Sequence, residues 1–174
     1  DGRVVILSGA SDIGQGSDTM LAIIVAEILG LSMDNIFVLG ADTLLTPIDL
    51  GSYSSRVTFM AGNAAKMAAE NLKQKILKAV SREAQVPEAE IYFLKDRVCS
   101  NDKTLDISWK EAIQYATDKV GAINSTGYYN SPKLGGKFKG AGAGLSPSYS
   151  FGAVIAQVDV DPETGIIKLK EIWG

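Results

Sequence analysis

Histidine is absent from this sequence, and cysteine occurs once, at position 99. Without histidine the chain holds no Ser-His-Asp triad, no histidine general base and no histidine-ligated zinc. With one cysteine it has neither a disulfide framework nor a cysteine metal cluster. Cys99 lies in the strand-like run Arg97-Val98-Cys99 and reads as a packed residue. Charge is also scarce: 17 lysines and arginines against 20 aspartates and glutamates leave a net charge of −3. Such a balance offers no basic surface to a nucleic acid or an anionic membrane. Long apolar runs are missing too. The longest, around residues 21–29, carries Glu27 and is too short to cross a bilayer. The opening Asp1-Gly2-Arg3 has no signal-peptide pattern. These absences predict a cytoplasmic protein with neither a nucleic-acid nor a membrane partner.

What is present is a globular composition, 46% hydrophobic and 21% charged over 174 residues, enough for one domain with a proper core. Its most informative stretch is Ser8 to Asp18, SGASDIGQGSD. The apolar run Val4-Val5-Ile6-Leu7 precedes it and an apolar-rich helical segment, 20–29, follows, which predicts strand, loop and helix. At such a junction the first N–H groups of the helix lack intrahelical partners, and the helix dipole adds positive charge. Gly9, Gly14 and Gly16 would let an anionic ligand approach the backbone closely. Gly9 and Gly14 have P-loop spacing, but Gln15 stands where the phosphate-binding lysine belongs, which argues against an ATPase. The dinucleotide fingerprint G-x-G-x-x-G is absent as well. A tight turn with no ligand remains an alternative reading of this loop.

A second strand is predicted at Ile36-Phe37-Val38-Leu39, after a helix ended by Gly30. A loop over 40–50 leads to Gly51-Ser52-Tyr53-Ser54-Ser55-Arg56 and then to a long helix, about 57–83. Its apolar face is read as Met60, Ala64, Met67, Ala68, Leu72, Ile76, Leu77 and Val80, with Lys66, Lys73, Lys75 and Lys78 on the wet side. Three serines and an arginine near a helix start suit an anion, although serines there also serve as plain caps. If the two strands are parallel neighbours, both loops face one crevice.

Beyond residue 85 a satellite unit is expected: a hairpin of 91–94 with 97–100 turning at Lys95-Asp96, then a helix over 109–120 capped by Ser108 and Glu111. Trp109 is assigned to the core. A strand is predicted at 123–129, then a glycine-rich loop over 130–147 carrying Lys133, Lys137 and Lys139. A long antiparallel hairpin closes the chain, 149–160 with 166–173, turning at Asp161-Pro162-Glu163-Thr164-Gly165. The predicted class is a mixed α/β (α+β) fold, with strand-loop-helix repeats on a mixed sheet and a C-terminal hairpin. It reads as one domain divided into 1–85, 86–122 and 123–174, and as a piece of a longer polypeptide.

Gly14-Gln15-Gly16, Gly51-Ser-Tyr-Ser-Ser-Arg56, Tyr149-Ser-Phe-Gly-Ala and Val158-Asp-Val-Asp161-Pro-Glu-Thr-Gly165 occur in that order. With these motifs the chain resembles the molybdenum-cofactor-binding region of the xanthine dehydrogenase and aldehyde oxidase family, over essentially its whole length. The second loop and the following Thr58-Phe59-Met60-Ala61-Gly62-Asn63 look most like the 4-hydroxybenzoyl-CoA reductase branch. The resemblance implies molybdopterin, in its cytosine dinucleotide form, contacted by Gly14, Gln15, Gly16, Ser52, Tyr53, Ser54, Ser55 and Arg56. It further implies a small-molecule substrate (aromatic, heteroaromatic, aldehyde or aryl-CoA) and a molybdenum subunit completed outside this chain. Iron–sulfur clusters and FAD would sit on partner domains or subunits. The family's catalytic glutamate would lie further along that subunit, so neither a catalytic base nor a metal ligand is assigned here, and the fragment alone should be inactive. Against this stands a non-redox α/β module that binds a nucleotide or acyl-CoA through the same glycine-rich loops. A third reading is an interaction domain with capped helices and no ligand.

Overall fold

A computed structural model describes residues 2–131 and 152–174, which fall into two compact units divided between Lys133 and Leu134. In the first unit, β1 (Val4–Ser8) is followed by α1 (Ser17–Leu29) and β2 (Ile36–Gly40). A long helix, α2 (Val57–Ala84), comes next. Then come β3 (Ile91–Leu94), β4 (Arg97–Ser100), β5 (Asp106–Ser108) and α3 (Trp109–Val120). β1 and β2 form a parallel pair, in register from Val4 with Ile36 to Ser8 with Gly40. β3, β4 and β5 form a separate antiparallel sheet. This is the mixed α/β arrangement predicted, with its strands distributed over separate sheets.

The core is built around α1 and α2 and continues into β3, β4 and α3, where Phe93, Val98, Trp109 and Ala112 belong to the same buried cluster. Leu21, Ala22, Val25, Ala26 and Leu29 of α1 are buried, as are Gly62, Ala65, Ala69, Ile76 and Val80 of α2. The buried face of α2 is therefore shifted from the predicted one. Met60, Ala64, Met67 and Ala68 are only partly covered, because small residues bring the two helices together. A Cβ at Gly62 would stand 3.0 Å from Ile24 Cδ1. Lys66, Lys75 and Lys78 are exposed, whereas Lys73 is not. Its Nζ donates to the Ile28 carbonyl at 2.7 Å and lies 5.1 Å from the Phe93 ring centroid. There it meets the negative end of α1.

Asp96 joins the satellite sheet to the parallel pair. It sits in the β3–β4 turn, where Lys95 and Asp96 both have positive φ, as a type I′ hairpin requires. Its carboxylate accepts the Ser32 N–H and the Asn35 Nδ2, both at 2.8 Å. Its own N–H donates to the Gly30 carbonyl at 2.9 Å. α3 opens with the predicted capping box of Ser108 and Glu111. Trp109 is 4% exposed, and its Nε1 donates to the Gly2 carbonyl at 2.7 Å.

The predicted strand at 123–129 does not form. That stretch runs along α2, which has no ladder to offer. Its carbonyls accept from side chains instead, Asn124 from Lys75 at 2.7 Å and Thr126 from Asn71 at 3.2 Å. The glycine-rich loop falls outside the described residues from position 132 onward, as do Tyr149, Ser150 and Phe151. In the second unit, β6 (Ile155–Val160) pairs antiparallel with β7 (Ile167–Trp173), with an irregularity between Gln157 and Val158. The Asp161 carboxylate shapes the turn by accepting the Glu163 N–H at 2.9 Å and the Thr164 hydroxyl at 2.7 Å.

Because Asp96 carries bonds to two elements, Asp96→Ala should destabilise the protein by about 1–3 kcal/mol in chemical denaturation. Asp96→Asn, which keeps an acceptor and tolerates a positive φ, should cost much less. Equal losses for both variants would remove this joint from the account.

Candidate functional site

Since β1 and β2 are parallel, both carboxyl-end loops, 9–16 and 41–56, leave the sheet on one edge, as the sequence predicts. They touch at two points. A Cβ on Gly9 would lie 2.1 Å from the Pro47 carbonyl oxygen, so only glycine fits there. The Ser52 hydroxyl donates to the Ser11 carbonyl, which locks the serine-rich loop against the glycine loop.

The amino end of α1 is not the open anion site the sequence implies. The Asp12 carboxylate lies across it and accepts the N–H groups of Gly14 at 2.9 Å, Asp18 at 3.2 Å and Gly16 at 3.4 Å. These bonds, Gly14's foremost, hold the Asp12 carboxyl below the usual aspartate range. Gln15 folds back into the same turn. Its Oε1 accepts the Ile13 N–H at 2.6 Å, and its Nε2 donates to the Ser11 carbonyl at 3.1 Å. The outer surface of the turn is nevertheless open. Gly14 and Gly16 have φ of +99° and +76°, with nothing within 4 Å of where a Cβ would stand. Beneath it two polar atoms, Ser17 Oγ and Asp18 Oδ1, are buried without a hydrogen-bond partner. Such atoms are costly unless something satisfies them.

The second loop is organised by Asp49. Its Oδ1 accepts the Gly51 N–H at 2.8 Å and pairs with Arg56 Nη1 at 3.3 Å. Arg56 also donates to the Gly51 carbonyl at 2.8 Å, and its guanidinium carbon lies 5.2 Å from the Tyr53 ring centroid. Ser54 and Ser55 stand exposed with φ of +54° and +51°. The N-cap of α2 is Arg56, whose side chain makes no capping bond, and no acidic residue lies in the first turn. This 28-residue helix, whose dipole is positive at its amino end, begins directly after the serine loop.

The residues singled out from sequence thus come together on one edge, and the donor set suits a phosphate-bearing ligand. Serine hydroxyls, a guanidinium and a helix amino end supply donors, and a glycine turn supplies close access. Sequence reasoning missed Asp12 and Asp49. Each stands two residues before a glycine whose N–H it accepts, the local pattern of an Asx turn, and that spacing was readable. Around the loops Ile13, Leu44, Ile48 and Leu50 are exposed by 71%, 92%, 98% and 77%, an apolar rim of the kind that meets another surface.

All 174 residues match the molybdopterin cofactor-binding domain family. The chain belongs to that family. It is 31% identical over its full length to a probable hypoxanthine oxidase of Escherichia coli K12, of which it covers 17%. It is also 31% identical to the gamma subunit of the 6-hydroxypseudooxynicotine dehydrogenase complex of Paenarthrobacter nicotinovorans, with 94% of this chain and 20% of that one aligned. Among solved structures, CO dehydrogenase from Oligotropha carboxidovorans superposes with a TM-score of 0.69 at 27% identity, over 94% of this chain and 19% of that one. Quinoline 2-oxidoreductase from Pseudomonas putida 86 shares the fold, with a TM-score of 0.66. This molybdopterin-binding domain, of the xanthine dehydrogenase and CO dehydrogenase type, thus spans about one fifth of the relatives it matches. Among the described residues no helix is long and apolar enough to cross a membrane.

The lowered Asp12 pKa has a definite sign. Its stabilising contribution is complete above the ordinary aspartate value of about 3.9 and is lost as pH falls through the lower folded-state value. Asp12→Ala should therefore lower the thermal midpoint at neutral pH, and its gap from wild type should close below about pH 4. A gap that stays constant across that range would contradict the role given to this carboxylate.

Proposed function

We propose that the shared edge of β1 and β2 holds a molybdopterin cofactor within a molybdenum-hydroxylase-type oxidoreductase. The observation that carries this reading is that the serine loop and the amino end of α2 are tied beside the glycine turn by the Ser52–Ser11 hydrogen bond. In this reading Ser52, Tyr53, Ser54, Ser55 and Arg56 bind the phosphate-bearing part, with the Arg56 charge oriented by Asp49. Gly14, Gln15 and Gly16 form the close surface against which the cofactor lies, and the buried Ser17 hydroxyl gains a partner. When bound, the cofactor supplies two-electron redox chemistry at its metal. The chain's own residues bind and orient it, and the base and the substrate contacts come from outside these 174 residues.

The cytosine dinucleotide form is the cofactor proposed. Its partners are the rest of the molybdenum subunit, with iron–sulfur clusters and FAD on other domains or subunits. The substrate class is aromatic, heteroaromatic, aldehyde or aryl-CoA. The heteroaromatic reading draws on the printed activities of the hypoxanthine oxidase and pseudooxynicotine dehydrogenase relatives. The Gly51-Ser-Tyr-Ser-Ser-Arg56 motif favours the 4-hydroxybenzoyl-CoA reductase branch as the finer reading. Turnover of 4-hydroxybenzoyl-CoA against hypoxanthine by the assembled enzyme separates the two.

The cofactor assignment is tested by molybdenum content and acid-released cytidine monophosphate in the assembled enzyme, wild type against Ser54→Gly/Ser55→Gly. Glycine removes both hydroxyls while suiting their positive φ. Two hydrogen bonds of about 1 kcal/mol each predict a fall of about tenfold or more in both quantities under limiting cofactor. Unchanged molybdenum and nucleotide would remove the serine loop from the site.

A further inference from the structure

We infer that the cleft between the carboxyl-terminal halves of α2 and α3 binds a small organic anion, one with a phosphate or carboxylate head on an apolar body. The cleft is a cavity of about 410 Å³, within the size range of small-molecule sites. Lys75, Lys78 and Arg82 line it from α2, Tyr115 and Ala116 from α3, and residues 122–124 close it from the coil that follows. All of these lie in the first compact unit.

The anionic head follows from the charge. Positions 75, 78 and 82 are spaced by three and four residues, which puts all three cations on one face of α2. No aspartate or glutamate lines the cavity with them. That runs against the chain as a whole, in which acidic side chains outnumber basic ones by 20 to 17. Like charges at this helical spacing destabilise one another unless a negative group lies between them. A cleft lined by one sign of charge also concentrates the opposite ion. Lys75 is engaged already, since its Nζ donates to the Asn124 carbonyl at 2.7 Å and so ties the coil to α2 as a wall of the cleft. Among the described residues Lys78, Arg82 and the Tyr115 hydroxyl have no hydrogen bond or ion pair. Their donors are free for a ligand, and the guanidinium fork matches two oxygens of a phosphate or carboxylate.

The apolar body follows from the floor. Ala79, Ala116 and Ile123 lie beneath the cations, and Ala116 and Ile123 are continuous with the core. The half-buried Tyr115 adds a ring to pack against and a hydroxyl to donate. From Val57 to Lys75, α2 rises about 27 Å at 1.5 Å per residue, so this cleft and the serine loop use opposite ends of one helix. The inference is independent of the cofactor reading.

The test is a titration of the assembled enzyme with 4-fluorophenyl phosphate and with 4-fluorobenzoate, followed by the fluorine NMR signal of each probe. At least one should bind saturably, and the tighter of the two names the head group. Inorganic phosphate, which lacks the apolar body, should compete at least about tenfold more weakly. Lys78→Ala/Arg82→Ala should weaken probe binding at least about tenfold by removing two charge-assisted contacts. Both side chains are exposed, so the fold is kept. Lys66→Ala, on the same helix but paired with Glu70 outside the cavity, should leave binding unchanged. No saturable binding of either probe would overturn the proposal, and so would binding that the double variant leaves intact. Equal weakening by Lys66→Ala would mark diffuse attraction to surface charge and would overturn it as well.

Discussion

Parallel pairing of β1 with β2 is the constraint on which the site depends. Two parallel strands must release both carboxyl-end loops on one edge, and the short register from Val4–Ile36 to Ser8–Gly40 leaves no other exit. Gly9 then lets the second loop lie directly on the first, and the Ser52 hydroxyl fastens it to the Ser11 carbonyl. The small residues of the α1–α2 interface serve the same end. Gly62, Ala65 and Ala69 bring α2 close to α1, so the two helix starts are held near the same strand ends.

Those helix starts are physically unlike. α1 begins from a turn whose N–H groups are already taken by Asp12, so its contribution to a ligand is shape, an open glycine surface over two unpartnered polar atoms. α2 begins directly after the serine loop with no acidic residue in its first turn, so its contribution is charge. A ligand with a flat body and a phosphate tail suits that division of labour, and a molybdopterin dinucleotide has that form.

Much of the fold was legible because local chemistry and tertiary structure agree. The Ser108–Glu111 capping box, the Lys95-Asp96 turn and the alternation in β6 and β7 each specify their own element. The errors came where tertiary partners decide. Periodicity marked Met60, Ala64 and Ala68 as core, whereas the demand for close helix approach buried Gly62, Ala65 and Ala69. Residues 123–129 have strand composition, but their neighbour is a helix, so side chains of α2 take the hydrogen bonds a ladder would have used. At the site, glycine and serine placed both loops correctly. The self-satisfaction of Asp12 and Gln15 depends on the folded path of the turn, which residue types alone do not convey.

The central claim is that the start of α2 and the serine loop receive the anionic part of the cofactor. A cryo-electron-microscopy map of the assembled enzyme tests it directly. The account predicts phosphate density within hydrogen-bonding distance of the Ser52–Arg56 loop and the first amides of α2, with the Gly14-Gln15-Gly16 turn against the cofactor's body. Cofactor density in the enzyme with no phosphate near those residues would contradict it.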